Sequence, residues 1–418
     1  MAIIPRKIAA EIKLAMNISP IVFLNGPRQA GKSTLVQTLG EEFGKSGSVT
    51  YITLDRPTIS AAAASEPEAF LSAYQSTLII DEVQLVPELF RALKTVVDEV
   101  RLKDKAKANG RYLLTGSANI MALPKLSDPL VGRMNVLTLY PFCTSEAIAS
   151  KGNGLDRLFG LEFQGINDMG LDLNTAISLS TFPELITMDA GGRRIWFDSY
   201  LTTLLQRDVK MLAEVEKASI LPILLRILAS RAGQLINDSD IARDAGLNSV
   251  TGKTYRNILK MMFVNFDVSP WYKNIGKRMV KSSKGYLTDT LMLCHLLDLN
   301  IIDIERNRPE LYGRILENYV ASELTKQLSF SETRAKLFHF RTSDNKEIDF
   351  VLERSDGSIL AIEVKKSEMV HARDFDSIRM LQNIMGEEFL GGIILYTGKD
   401  AVPFGKNLWA VPIKILWQ

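Results

Sequence analysis

Two stretches of this chain bring together residue types that handle phosphate. The first is GPRQAGKST (26–34), which follows the apolar run PIVFL (20–24). Gly26, Gly31, Lys32 and Ser33 fit the spacing G-x-x-x-x-G-K-[ST]. Glycines let successive backbone N–H groups wrap an anion at a helix N-terminus, where the helix dipole also favours negative charge. On this reading Gly26, Pro27, Arg28, Gln29, Ala30, Gly31, Lys32, Ser33 and Thr34 cradle the phosphates of ATP. Lys32 reaches the β- and γ-phosphates, and the Ser33 hydroxyl holds Mg²⁺. Further on, TLIIDEVQ (77–84) ends an apolar strand in Asp81 and Glu82. Asp81 would bind Mg²⁺ through water, and Glu82 would polarise the attacking water. RYLLTGSAN (111–119) places Thr115 and Ser117 at a strand tip, where open α/β sheets bind ligands, although Thr-Gly-Ser is also an ordinary turn sequence. Arg133, just before the strand in LVGRMNVLTLYPF (130–142), can act on a neighbouring subunit's γ-phosphate or stay a solvated surface residue.

The second stretch is EIDFVLERSDGSILAIEVKKS (347–367). Strand alternation puts Glu363 and Lys365 on one face and Ile362 and Val364 on the other. Asp349 lies on the preceding strand of what would be a hairpin. The two carboxylates can converge on one metal ion, and hard oxygen ligands suit Mg²⁺ or Mn²⁺. Lys365 would orient a metal-bound water or neutralise developing charge, and Glu317 on the preceding helix could complete the cage. As a bare pattern this spacing is weak, because amphipathic strands with E-x-K are common. His371, close by, reads as a surface residue.

These residues need elements to hold them. PIVFL followed by a glycine loop and STLVQTLGEEF reads as strand, loop and helix. RRIWFDSYLTTLLQRDVKMLAEV (193–215) is a strong helix pattern, suited to a lid over the nucleotide. Its Arg207 could sense phosphates, but an intrahelical pair with a carboxylate is the preferred reading. LINDSDIARDAGLNSVTGKTYRNILKMM (235–262) has a helix-turn-helix rhythm, with Gly246 at the turn. Val250, Tyr255, Ile258 and Leu259 are expected inward; Thr251, Lys253, Thr254, Arg256 and Lys260 outward. The segment after it resembles a wing hairpin carrying Lys273, Lys277, Arg278, Lys281 and Lys284 with no acidic residue between Trp271 and Tyr286. Lys253, Arg256 and these five are the expected DNA contacts, made to the backbone rather than to bases. LFHFRT, EIDFVLE and ILAIEVK are three strands separated by turn signals, after a helix over 309–330.

Composition limits the alternatives. The 418 residues are 46% hydrophobic and 23% charged, an ordinary globular balance with room for several domains. The net charge is only +2, so nucleic-acid contact must come from local basic patches. No apolar run is long enough for a membrane span, and the N-terminus reads as an amphipathic helix rather than a signal peptide. Cys143 and Cys294 stand far apart without ligand spacing, so neither a disulfide framework nor a zinc site is suggested. The expected location is cytoplasmic.

NGPRQAGKSTL, YITLDRP, LIIDEVQLVPELFRALKTVVDE, RYLLTGSANIMALPKLSDPLVGRM and LYPF resemble, in order and spacing, successive blocks of a prokaryotic family of AAA-type (AAA+) P-loop ATPases. Members of that family carry a C-terminal domain of restriction-endonuclease-like fold, whose D…(D/E)xK signature the Asp349, Glu363 and Lys365 pattern resembles. STFPELI (180–186) departs from it, since the family has Gly-Gly before the aromatic-Pro-Glu. The resemblance implies an α/β fold: a P-loop AAA-type domain over 1–145, a helical lid over 146–220, a winged helix over 221–290 and a restriction-endonuclease-like α/β domain over 291–418. It implies ATP and Mg²⁺ as cofactors, DNA as partner and a homo-oligomer with Arg133 supplied from a neighbour. The leading expectation is an ATP-hydrolysing enzyme acting on DNA. The alternatives are an ATP-gated switch or scaffold with an inactive nuclease-like domain, and a peptide-remodelling ATPase.

Overall fold

The computed structural model describes residues 3–44, 48–117, 130–166, 170–179, 181–209, 218–274, 282–344 and 346–418. The chain divides into two compact units. One runs from Pro5 to Pro141 and takes in Met261–Phe263; the other holds most of the remainder, from Phe142 to Lys260 and from Val264 to Gln418.

The first unit is built on a five-stranded sheet of β1 (Ile21–Asn25), β2 (Val49–Thr53), β3 (Thr77–Asp81), β4 (Tyr112–Gly116) and β5 (Met134–Thr138). Its order is β2-β3-β4-β1-β5. All four pairings are parallel. Every residue of β1 and β4 is buried, which explains why IVFLN and YLLTG run apolar without alternation. Each fully buried Leu, Ile, Val or Phe there contributes about 1.5–3 kcal/mol. The P-loop leaves the C-terminal end of β1 and enters the Lys32–Gly44 helix. The Glu88–Lys103 helix buries Leu89, Phe90, Leu93, Val96 and Val97 along one side.

The second unit centres on an eight-stranded mixed sheet, ordered β12-β13-β11-β10-β9-β8-β6-β7. The strands are β6 (Asn265–Pro270), β7 (Lys284–Leu287), β8 (Ala335–Arg341), β9 (Glu347–Arg354), β10 (Ile359–Lys365), β11 (Phe389–Tyr396), β12 (Val402–Gly405) and β13 (Leu408–Pro412). β8, β9 and β10 form an antiparallel meander where the sequence places three strands. Ile348, Val351, Ile359, Phe375, Ile378 and Ile394 lie in its core. The Pro309–Leu328 helix is buried on more than the apolar stripe of Leu316, Tyr319, Val320 and Leu324: Asn318, Ser322, Glu323, Lys326 and Gln327 are buried too. Each is hydrogen-bonded, Asn318 to Leu287, Ser322 to the Thr288 carbonyl, Glu323 to Thr144, Lys326 to Thr181 and Gln327 to the Leu416 carbonyl.

Asp238–Asp244 and Ser249–Met261 are the two helices of the expected helix-turn-helix, and Gly246 makes the turn at φ 68°. Val250 is 78% exposed, contrary to expectation; Gly252 instead faces Ala242, where an added Cβ would come within 2.5 Å of the Ala242 methyl. β6 and β7 pair as a hairpin, but Ser269 and Pro270 also pair with β8. The hairpin is thus an edge of the large sheet rather than a free wing. Lys277, Arg278 and Lys281 lie outside the described residues. The expected helix over 193–215 runs as an α-helix over Ala190–Thr203 and continues as a π-helical turn at Leu204–Asp208. The Arg207 side chain is outside the described set.

Candidate nucleotide site and carboxylate cluster

The P-loop is shaped by its backbone. Gly26 has φ 148°, and a Cβ there would lie 2.1 Å from the Leu139 carbonyl oxygen, so only glycine fits. Gln29 and Gly31 also take positive φ, at 61° and 91°. Lys32, 5% exposed, turns back over the loop: its Nζ donates to the Gly26 carbonyl at 3.0 Å and the Pro27 carbonyl at 2.8 Å. Burial lowers its pKa to about 8; Glu82 and Asp81 oppose that shift, and Arg28 adds to it. Arg6, before the first helix, donates to the Ala30 carbonyl at 2.8 Å and the Tyr140 carbonyl at 2.6 Å, bracing the loop.

One strand, β4, separates the P-loop strand from β3, and it links the expected polar groups. Thr115 on β4 is fully buried and donates to Asp81 Oδ1. The Glu82 N–H donates to Thr115 Oγ1 at 3.1 Å. Tyr51 on β2 donates to Asp81 Oδ2 at 2.8 Å; burial, then that hydrogen bond, push the phenol up to about 12. Glu82 is left-handed, at φ 58° and ψ 46°. Gln84 donates to the Glu82 carboxylate and, at 3.1 Å, to Ser117 Oγ. Asp81, Glu82, Thr115 and Ser117 therefore form one connected set. Arg6, Tyr51 and Gln84 were not singled out by sequence reasoning. Their partners are long-range or depend on the turn after β3, and no local motif marks them. Ser33, in the first turn of the Lys32–Gly44 helix, and Asp81 offer the hard oxygens that suit Mg²⁺ held mainly by phosphate and water.

Arg133 stands at the other end of the strands, just before β5. Its backbone carbonyl accepts from Ile21 N, at the start of β1, whereas the P-loop leaves the end of that strand. Its guanidinium makes a bidentate pair with Asp98, at 2.6 and 2.7 Å. That pair raises the Arg133 pKa and holds Asp98 below the usual carboxylate range.

In the second unit Asp349, Glu363, Lys365 and Glu317 come together, as the spacing implies. Val364 N donates to Asp349 Oδ2 at 2.9 Å, and Asp349 N to Glu363 Oε2 at 3.3 Å. Lys365 Nζ lies 3.0 Å from Glu363 Oε1. A second lysine among these groups is Lys284, expected on a DNA-binding wing. Its Nζ lies 2.9 Å from Glu317 Oε1, 2.5 Å from Glu347 Oε1 and 3.3 Å from Asp349 Oδ1. Tyr286 donates to Glu317 Oε1 at 2.7 Å. Burial opposes the Lys284 charge, but Asp349, Glu317 and Glu347 outweigh it and hold the ammonium well above the ordinary lysine value. Burial, followed by the like charge of Asp349, pushes both Glu317 and Glu363 above the usual carboxylate range. The expected metal set of Asp349, Glu363 and Glu317 does not fit a resident divalent ion, because a lysine side chain already takes that place. Among the described residues no group of three or more His, Cys, Asp or Glu is arranged to hold a metal ion.

Two expected DNA contacts are corrected by burial. Lys284 is 3% exposed and spent on carboxylates. Arg256, 7% exposed, pairs with Asp238 at 2.7 Å and Asp267 at 2.9 Å, so it ties the helix-turn-helix to β6 and cannot reach a phosphate. Lys260 shares Asp267. Lys253 is exposed, as is Lys273, which pairs with Glu388 at 3.2 Å. Lys273 lines an open cleft of about 900 Å³ together with Trp271, Arg334, Lys336, Glu353 and Arg354. Cys143 and Cys294 are buried free thiols, and no described helix is long and apolar enough to cross a membrane.

Comparison with known proteins covers the same ground. Residues 19–148 match the model of an AAA domain, and residues 171–303 and 312–416 match two domains of unknown function (DUF8612 and DUF4143). An uncharacterized protein of Mycobacterium tuberculosis is 28% identical over 413 residues, spanning 99% of this chain and 84% of the relative. One of Haemophilus influenzae is 23% identical, spanning 82% of each. Among solved structures, a Walker-type ATPase of Pyrococcus abyssi is 14% identical with a TM-score of 0.44, over 71% of this chain and 96% of that one. AMPPCP-bound DnaA from Aquifex aeolicus is 17% identical with a TM-score of 0.29, over 62% and 89%. The first unit is thus a P-loop ATPase domain of AAA type.

Proposed function

We infer that the chain hydrolyses ATP and uses the cycle as a switch acting on DNA, with a second unit that keeps a nuclease-like arrangement without cutting. The observation that supports this most is the P-loop lysine within electrostatic reach of Asp81 and Glu82, both fixed by Thr115. Phosphate oxygens would replace the Gly26 and Pro27 carbonyls as acceptors for Lys32, while N–H groups of residues 26–34 take the remaining phosphate charge. Mg²⁺, with Ser33 and Asp81 as its protein oxygens, would neutralise charge on the β- and γ-phosphates. Tyr51 and Thr115 keep Asp81 oriented. Glu82, steadied by Gln84, would orient the attacking water, and Ser117 would register the γ-phosphate. Thr115, fully buried with its one proton given to Asp81, positions Asp81 and Glu82 instead of meeting phosphate. In an oligomer Arg133 would serve a neighbour's site, since its own P-loop lies at the opposite end of the strands.

DNA is proposed from Lys253, from the Lys273 cleft with Arg334, Lys336 and Arg354 on its walls, and from Lys277, Arg278 and Lys281 in the sequence. The lysine inside the carboxylate cluster favours the non-cleaving reading over a metal-dependent nuclease. ATP turnover measured against single-stranded, duplex, forked and four-way DNAs tests the proposal. At least one should stimulate turnover. Indifference to all four, with stimulation by unfolded protein, would replace it with peptide remodelling.

A further inference from the structure

The carboxylates of the second unit stand where a divalent metal would be sought, yet the cation they hold is part of the chain. An ammonium has three donors, and Lys284 spends them on Glu317, Glu347 and Asp349, one carboxylate from the Pro309–Leu328 helix and two from β9. The remaining groups are engaged as well. Asp349 Oδ2 accepts from Val364 N, Glu363 Oε1 from Lys365 and Glu363 Oε2 from Asp349 N. Arg341 lies 3.5 Å from Glu347. Four carboxylates, Glu317, Glu347, Asp349 and Glu363, therefore face three cations, Lys284, Lys365 and Arg341. A dication among the same oxygens would meet the Lys284 charge at close range in a poorly solvated place, where like charges repel strongly.

Lys284 is also held from its own side. It begins β7, pairs with Val268 of β6 and bridges to Leu235. Three residues on, Leu287 N donates to Asn318 Oδ1 at 2.8 Å, and Ser322 donates to the Thr288 carbonyl at 2.6 Å, fastening this strand to the helix that carries Glu317. Gly233, at φ 77°, packs so close that a Cβ would lie 3.2 Å from Glu317 Oε2, leaving little room for added ligands on that flank. The strand that carries Lys284 is thus fixed to the helix that carries Glu317.

We propose that Lys284 is the resident cation of the cluster: it excludes a divalent metal and rivets the β6–β7 hairpin to β9 and the Pro309–Leu328 helix. The test is Mn²⁺ binding to the full-length chain without nucleotide, read by electron paramagnetic resonance, with Asp349→Asn beside it to separate this cluster from the P-loop. Wild type and Asp349→Asn should bind Mn²⁺ alike. Lys284→Met, which keeps the stem and removes the charge, should gain one Mn²⁺ site that a second change, Asp349→Asn, abolishes. Lys284→Arg, which restores a cation, should gain none. An Asp349-dependent site in the wild type would overturn the proposal, and so would a folded Lys284→Met chain that gains no site. Should Lys284→Met fail to fold, the wild-type comparison with Asp349→Asn decides by itself.

Discussion

Lys32 and Lys284 are sealed from solvent to nearly the same degree, 5% and 3% exposed, and each lies near carboxylates. Burial alone would lower both pKa values. At the P-loop burial wins, because the direct partners of Lys32 are two neutral carbonyls, and the charges of Asp81 and Glu82 restore the ammonium only in part. In the second unit burial loses, because three carboxylates touch Lys284 directly. A lysine bonded to carbonyls can trade them for phosphate oxygens at small cost. A lysine bonded to carboxylates has no better acceptor to trade for. One site is built for exchange and the other for permanence.

The largest effect that can break this comparison is on stability. Removing the ammonium in Lys284→Ala leaves the partly buried Glu317 and Asp349 without their direct cation and Glu347 with Arg341 alone, and should cost about 3 kcal/mol. Urea unfolding checks it, and a loss below about 1 kcal/mol would mean the cluster is solvated. The sign with pH follows from the raised Lys284 pKa. Its stabilisation is complete below the unfolded lysine value of about 10.4 and fades as pH climbs towards the folded value.

Next in size is nucleotide affinity. Lys32→Ala removes a charge-assisted contact of about 2–3 kcal/mol, so ATP should bind about 30- to 140-fold more weakly by calorimetry. Because burial holds Lys32 near pH 8 and phosphate would favour the ammonium, ATP affinity should be flat below about pH 8 and weaken above it. The Lys32→Ala chain should lack that pH dependence; an equal slope in both would assign it to another group. The smallest effect concerns Arg133. Its pair with Asp98 is partly exposed, 23% and 37%, so Arg133→Ala should cost under about 1 kcal/mol of stability. A fall in turnover far beyond that, at unchanged ATP affinity, would support a role at a neighbouring site.

What could be read in the sequence was what depends on short spacing. The P-loop, the Asp81-Glu82 strand end and the Asp349, Glu363 and Lys365 hairpin are each set by residues close in the chain, where strand alternation and glycine loops leave little freedom. Lys284 and Arg256 were misplaced because their partners are not local. Lys284 stands in a run without acids, and its carboxylates at Glu317 and Asp349 are 33 and 65 residues away. Arg256 falls on the polar face by helical period, yet Asp238 and Asp267, 18 and 11 residues distant, fold over it. Tertiary pairing turned two apparent DNA contacts into internal ties. The same reason hid the polar side of the Pro309–Leu328 helix: Glu323 and Lys326 look solvated by pattern, but Thr144 and Thr181 arrive from far upstream to satisfy them.

The central claim is that the P-loop and the Asp81-Glu82 strand end form one hydrolytic site. Single-turnover hydrolysis of radiolabelled ATP by the wild type, Lys32→Ala and Glu82→Gln measures it directly. The wild type should release phosphate, Lys32→Ala should fail to bind tightly, and Glu82→Gln should retain ATP without cleaving it. Hydrolysis by both variants at the wild-type rate would contradict the assignment.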